Sequence, residues 1–227
     1  MDTPSSALLL YSSIDKDPLT LPQGCSGISI STDWILTHGI VLGPIIDKSY
    51  AVSNFITNMV PGELITVPGE LTSELKFRVY RDLGSDSRSS SLKEHHGMIV
   101  AAWQCPLLKK TFDEFFKTWS FSKSSEFTRS LRSIFLFVHI YNPDESVVET
   151  SLEQALSCLL DQVPRNLIRG SSVIIESTPF GNPVFAGSIA HGVISNVVGD
   201  EGCVIMTDAY AFPGGEGGPV YIIPPDR

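Results

Sequence analysis

The residues best suited to chemistry lie near the end of the chain, at 207–220, where the sequence reads TDAYAFPGGEGGPV. Within the stretch 214–218, every position is glycine except one, which is Glu216. Glycine lets a backbone approach another group closely, because no side chain stands in the way. The pattern alone predicts a glycine-rich turn around a single carboxylate, with Pro219 opening the strand that follows.

The register of this segment resembles the nucleophile loop of trypsin-like serine proteases of the HtrA/Deg type, which reads TDAxxxPGNSGGP. In that family the backbone N–H groups of the loop converge on an oxyanion hole that stabilises negative charge on the substrate. The resemblance identifies a remnant of this loop at four residues: Gly214, Gly215, Glu216 and Gly217. It also implies that Glu216 stands where the family has its nucleophilic serine.

The carboxylate of Glu216 would change the chemistry of such a loop. A carboxylate held there cannot attack an amide as an activated hydroxyl does. Two arrangements are open for this side chain. Its oxygens could occupy the anion hole and accept from the N–H groups of Gly214 and Glu216, which would be a self-inhibited site, or the side chain could point to solvent.

The position of the catalytic histidine is also altered. Residues 34–41 resemble the family's ILTxxHVV segment, and aligning the ILT at 35–37 puts Ile40 at the histidine position. His38 comes two residues earlier, about 6–7 Å back along an extended chain. A general base must reach its nucleophile at about 3 Å, so we expect a structural role for His38.

The position of the catalytic aspartate is altered as well. The family's DIALLxI strand corresponds to residues 133–139, so Ser133 stands where the aspartate should be. Asp144 and Glu145 lie beyond this strand and are alternative acids. With Ile40 and Glu216 at the other two positions, the resemblance implies that no catalytic triad is intact.

Further matches extend the resemblance to most of the chain. Residues 172–181 (SVIIESTPFG) are similar to the family's VxAIGxPFG, and 188–195 (SIAHGVIS) to its TVTxGIVS. The pattern over residues 24–221 is similar to the degenerate amino-terminal half of peroxisomal proteases that trim targeting peptides from imported proteins. This resemblance implies a scaffold or regulator for an active protease half of the same polypeptide. It also implies a peroxisomal location, although the chain carries no targeting signal.

Two other functions are weighed against this one. The first is a free-standing module that holds an extended peptide in the former substrate cleft by strand addition. The second is an active protease that uses Ser26 or Ser188, which is disfavoured because neither serine follows an oxyanion turn. Beyond the active half and the extended peptide, a homo-oligomer is the other partner that we consider.

Composition excludes several classes of protein. The 227 residues carry a net charge of −9, which argues against nucleic-acid binding, since that requires a basic face. No apolar run approaches the ~20 residues of a membrane-spanning helix. The histidines do not predict a metal site: His95 and His96 are expected in a loop, and His191 in the core or at a sheet edge. We expect no metal and no cofactor.

The four cysteines are far apart in the sequence, and their spacing matches neither a zinc signature nor a redox motif. We expect them to be reduced and buried. The residues concerned are Cys25, Cys105, Cys158 and Cys203.

Many short segments are rich in Val, Ile and aromatic residues, with Gly, Pro, Asp or Ser between them, which predicts an all-β fold with helical inserts. Nine strands are expected, at 27–30, 34–37, 64–67, 75–80, 98–103, 134–140, 172–176, 187–195 and 203–207. Apolar stripes predict two helices packed on the core, at 106–119 and 151–161.

For these strands, the resemblance implies the arrangement of a trypsin-like double β-barrel. It places an N-terminal segment with the first strand at 1–23, a first barrel at 24–148 and a connection at 149–170. A mobile loop at 82–96 and a helical insert at 106–120 interrupt the first barrel. The second barrel, at 171–227, is expected to be incomplete, because only a few residues follow the glycine-rich loop.

Overall fold

A computed structural model describes residues 4–11, 24–72, 74–81, 92–116, 130–141, 150–164 and 167–223. Most of the predicted loop at 82–96 and the last residues of the first predicted helix lie outside these ranges. The alternative acids Asp144 and Glu145 also lie outside them.

Seven strands form the larger of two sheets: β1 (Ser5–Tyr11), β2 (Gly24–Ser29), β3 (Trp34–His38), β4 (Leu64–Thr66), β5 (Lys76–Arg81), β6 (Lys93–Gln104) and β7 (Ile134–Tyr141). Six of them run in the order β6-β5-β1-β2-β3-β7, and β7 pairs back onto β6. This second pairing closes a six-stranded barrel in which all pairs are antiparallel. Strand β4 pairs with the second half of β6 outside the ring.

Apolar side chains fill the barrel because they alternate along its strands. In β5, for example, Phe77 and Val79 are buried while Lys76 is exposed. Gly97 lies opposite Phe77, and a Cβ there would come 2.7 Å from a methyl of Val138. The largest fully buried side chains of this core include Phe77, Leu9, Ile35, Leu75, Ile99, Leu131, Ile134, Leu136 and Ile140.

Besides four short 3₁₀ helices, five α-helices lie within the described residues: α1 (Gly43–Ile46), α2 (Tyr50–Thr57), α3 (Gly69–Thr72), α4 (Pro106–Phe115) and α5 (Leu152–Leu160). Both predicted helices are present. Pro106 starts α4, as its fixed φ favours. Ser151 caps α5 and accepts from the N–H of Gln154, which satisfies a donor that has no partner within the helix.

The predicted burial of the two helices is only partly right. Phe115 of α4 and Leu160 of α5 are 63% and 67% exposed, although both belong to the predicted core stripes. Each helix instead buries one small residue, Thr111 in α4 and Ala155 in α5. In α4 the buried Thr111 lies against the β9–β10 turn, with its Oγ1 3.3 Å from Cys203 Sγ.

The second sheet has four antiparallel strands, in the order β10-β9-β8-β11. Its strands are β8 (Ser172–Ser177), β9 (Ser188–Val198), β10 (Val204–Thr207) and β11 (Val220–Ile223). Its core is small, with Val173, Ile194 and Ala209 as the buried hydrophobic residues of the cluster. The chain is therefore a mostly β protein built around one closed barrel, and all nine predicted strands are present.

The structure corrects several predicted details. Lys93 and His95 belong to β6, where they pair with Arg81 and Val79 of β5, so the predicted loop ends earlier than residue 96. Strand β1 lies in the barrel between β5 and β2, and the barrel thus takes in residues before 24.

Among the described residues, no helix is long and apolar enough to cross a membrane.

All four cysteines are free thiols, as expected, but they are not equally buried. Cys25 and Cys105 are buried, whereas Cys158 and Cys203 are partly exposed. Cys158 lies on α5, and Cys203 lies beside the β9–β10 turn.

Candidate functional site

The barrel and the second sheet meet at a fully buried hydroxyl. Ser26 Oγ, on β2, donates a hydrogen bond to the carbonyl of Gly214 at 2.9 Å. The same oxygen accepts from the N–H of Thr178 at 2.8 Å. Ser26 thus joins two loops of the second sheet to the barrel, and its hydroxyl is engaged both as a donor and as an acceptor.

The glycine-rich loop packs so closely on its surroundings that only glycine fits at two positions. Gly214 has φ +88°, and a Cβ there would lie 2.5 Å from the backbone nitrogen of Gly181. Gly217 has φ +87°, and a Cβ there would collide with the carbonyl oxygen of Ser26. Its third neighbour is the backbone nitrogen of His38, 3.1 Å away from that Cβ position. The loop therefore sits directly against the ends of β2 and β3.

Glu216 folds back into this loop. The N–H of Gly214 donates to Glu216 Oε2 at 2.7 Å. Gly215 N–H bonds the carbonyl of Phe212 at 3.0 Å, and Gly218 N–H bonds that of Gly215 at 3.1 Å. The carboxylate thus takes one of the two N–H groups expected from the sequence, and two further N–H groups of the loop bond to carbonyls of the same loop.

His38 lies beside the loop with both ring nitrogens engaged by backbone. Its Nε2 donates to the carbonyl of Arg132 at 3.0 Å, and its Nδ1 accepts from the N–H of Ile40 at 3.4 Å. These partners fix the neutral tautomer with the proton on Nε2. Burial lowers the pKa of His38, while the Arg132 carbonyl and the Glu216 charge oppose that shift.

A cysteine that sequence reasoning did not connect with the site lies behind the loop. Thr37 Oγ1 donates to the carbonyl of Ser26 at 2.7 Å, which leaves it to accept from Cys25 Sγ at 3.3 Å. Burial raises the pKa of Cys25 to about 12, and the charge of Glu216 adds to that shift. The thiol is therefore protonated and unsuited to act as a nucleophile.

The other predicted triad positions do not join Glu216. Ile40 is partly buried and packs against the barrel core. Ser133 is buried, and its hydroxyl donates to the carbonyl of Ser130 at 2.9 Å and accepts from Gln104 at 3.1 Å. The backbone of His38, at the end of β3, lies against Gly217 of the loop, while its ring bonds to Arg132 and Ile40.

The remaining candidate residues of the sequence also lie away from the loop or are engaged. Ser188 donates to the carbonyl of Phe185 at 2.7 Å. His191 is exposed on β9, opposite Ile174 of β8, and β10 pairs only with the later part of β9, from Ile194 to Val198. Within the described part of the chain, no group of three or more metal-ligating side chains occurs.

Two comparisons with known proteins were made for the whole chain. No protein-family model matches the sequence. No curated protein matches it either.

Proposed function

We propose that the chain is a catalytically silent domain of the trypsin-like serine protease type. The observation that carries the proposal is the 2.7 Å hydrogen bond from Gly214 N–H to the Glu216 carboxylate. An oxyanion hole works by offering preorganised donors to a charge that develops on the substrate. A donor already bound to a permanent carboxylate is not available for that purpose.

The contacts of His38 support the same proposal. A general base needs a free lone pair within hydrogen-bond reach of its nucleophile. His38 Nε2 carries its proton toward the Arg132 carbonyl, and Nδ1 is taken by the Ile40 N–H. Neither nitrogen is free to accept a proton from a side chain at position 216.

The biological role that we propose is that of a scaffold or regulator for an active protease half of the same polypeptide, in the peroxisome. The motif resemblance supports this role, most densely at 172–220. The second sheet supports it too, because among the described strands β10 and β11 each pair on one side only. Unpaired strand edges are sites where a further strand can be added.

Labelling with a fluorophosphonate tests catalytic silence. The full chain is incubated with the reagent beside active trypsin, and the products are examined by intact-mass spectrometry. We expect the trypsin to be labelled and this chain to keep its mass, with no hydrolysis of casein. Stoichiometric labelling of Ser26, or of any other serine, would show an active nucleophile and overturn the proposal.

The scaffold role is tested separately by co-expressing the chain with an active trypsin-like half. We expect the two to co-purify, and kcat/KM of the active half to change when the chain is removed. An active half with the same kcat/KM alone and together would contradict the scaffold role without affecting catalytic silence.

A second candidate function is peptide binding without catalysis. It is favoured by a surface of exposed aromatic side chains next to the Glu216 loop. Exposed apolar surface of this kind marks sites of interaction with other molecules.

A further inference from the structure

Four aromatic side chains form an exposed cluster on the two loops that Ser26 holds. Phe180 contacts Phe185 and Phe212, with ring centroids 6.2 and 5.5 Å apart, and Tyr210 meets Phe212 at 4.6 Å. Their exposed fractions run from 38% for Phe212 to 68% for Tyr210. We call these four residues the aromatic patch.

The backbone of Phe180 is strained in a way that presents its ring. Phe180 has φ +59° and ψ 13°, a left-handed conformation that costs free energy for any residue with a Cβ. A 2.6 Å hydrogen bond from its N–H to the carbonyl of Pro213 holds it there. The next residue, Gly181, lies against the backbone of Gly24. Strain of this kind persists where the surroundings impose it, and it concentrates at ligand sites.

The residues of the second sheet and its loops carry mostly negative charge, although Asp200 is paired with Lys110 of α4 at 2.6 Å. Residues 167–223 contain a single arginine and five carboxylates: Arg169, Glu176, Asp200, Glu201, Asp208 and Glu216. Asp208 comes two residues before Tyr210; it is exposed, and one of its oxygens accepts from the N–H of Val193 at 2.7 Å. Glu216 comes four residues after Phe212, and its Oε2 accepts from Gly214. Aromatic faces bind Lys and Arg through cation–π contacts, and nearby carboxylates strengthen that preference. The net charge of −9 on the whole chain disfavours a second copy as the occupant.

We propose that the aromatic patch binds a basic and apolar peptide segment of a partner protein. Aliphatic side chains of the peptide would lie on Phe180 and Phe212, and its Lys or Arg side chains would lie over Tyr210 and face Asp208. The inference rests on the second candidate function and names its ligand class. It does not depend on whether the Glu216 loop is catalytically silent.

Fluorescence polarisation with three labelled nonapeptides tests the proposal on the full chain. The first peptide repeats Gly-Leu-Arg three times, the second has Glu in place of each Arg, and the third has Ser in place of each Leu. We expect the first peptide to bind at least tenfold more tightly than either of the others. Its affinity should also fall as salt rises, since the charge pairs are exposed. Equal binding of the three peptides, or no binding of the first, would overturn the proposal.

Variants locate the binding to the patch. We expect Y210S combined with F212S to weaken binding of the first peptide at least tenfold. Y50S, which removes a tyrosine that is 86% exposed on α2, should leave it unchanged. F180G removes both the ring and the strain, so it should raise the melting temperature while lowering affinity, which separates binding from loss of fold. An unchanged affinity in F180G would contradict the assignment.

Sedimentation velocity distinguishes the occupant. A monomer that binds the basic peptide supports the proposal. A dimer that the Y210S/F212S variant dissociates would show that a second copy covers the patch, and this would overturn it. Failure of all peptide binding leaves the fluorophosphonate result unaffected, so the two proposals fail independently.

Discussion

The Gly214 backbone nitrogen lies 2.7 Å from Glu216 Oε2, two residues further along the same turn. Gly214 has a positive φ, and its carbonyl accepts from Ser26. Both polar groups of this one glycine are therefore used, the N–H by the loop itself and the carbonyl by the barrel. Glu216 thus stabilises the shape of the loop while it occupies a donor that catalysis would need.

Removal of the Glu216 carboxylate should destabilise the chain. We expect E216A to lower the free energy of unfolding by about 1–3 kcal/mol, because hydrogen bonds to charged groups contribute about that much. E216Q, whose amide oxygen can still accept from Gly214, should lose less. Urea unfolding at pH 7 measures both, with E63A, at an exposed residue before β4, as the control. An E216A variant as stable as E63A would contradict the role given to this contact.

Restoring the serine alone should not restore catalysis. In E216S the hydroxyl would have no proton acceptor, because both nitrogens of His38 are engaged by backbone and position 40 holds isoleucine. An unassisted serine hydroxyl is a weak nucleophile. Hydrolysis of a fluorogenic peptide mixture by E216S should equal that of the double variant H38A/E216S. Turnover by E216S above that baseline would show that His38 acts as a base.

The Ser26 hydroxyl should contribute more to the free energy of unfolding than the hydroxyl of an exposed serine does. In S26A the buried N–H of Thr178 and the carbonyl of Gly214 each lose their partner. A buried donor or acceptor left without a partner costs about 1–3 kcal/mol. S188A is the matched control, because its exposed hydroxyl donates to one carbonyl only. Equal unfolding midpoints for the two variants would contradict a joining role for Ser26.

Ser26 and Glu216 act on the same glycine, so their effects should not add. A double-mutant cycle with S26A and E216A measures this coupling, which we expect at about 0.5–3 kcal/mol for groups in one hydrogen-bond network. Additive losses would indicate that the two contacts are independent.

The strands could be predicted because their segments are rich in Val, Ile and aromatic residues. Three helices, α1 to α3, were not predicted, and the longest of them, α2, lacks a strong local signal. Residues 50–57 read YAVSNFIT, where the β-branched residues have weak helix propensity. The segment becomes helical because Ser49 caps it and because Val52 and Ile56 are buried in the barrel core. Tertiary packing decided that element.

The site was predictable only where it is local. The Glu216–Gly214 contact spans two residues of one glycine-rich turn, so the sequence could offer it as one of two arrangements of this side chain. The partner of His38 Nε2 is the Arg132 carbonyl, 94 residues away, and it depends on the pairing of β3 with β7.

The lowered pKa of His38 predicts a loss of stability in mild acid. Its folded pKa lies below the ordinary value of 6.5 because the ring is buried. As pH falls through 6.5, His38 of the unfolded chain becomes protonated while the folded ring stays neutral, so the free energy of unfolding decreases. At pH 7.5 the ring is neutral in both states and contributes no such difference. Each unit by which the folded pKa is lowered can cost at most about 1.4 kcal/mol.

The H38Q variant isolates this effect. Its neutral amide can still donate to the Arg132 carbonyl, but it does not titrate. We expect the wild type to lose more of its free energy of unfolding between pH 7.5 and pH 5.5 than H38Q loses, with urea midpoints measured at both pH values. H38A should show the same shallow pH dependence as H38Q at a lower overall stability. A wild type and an H38Q variant with identical pH dependence would show that His38 takes up its proton equally well in the folded and unfolded states.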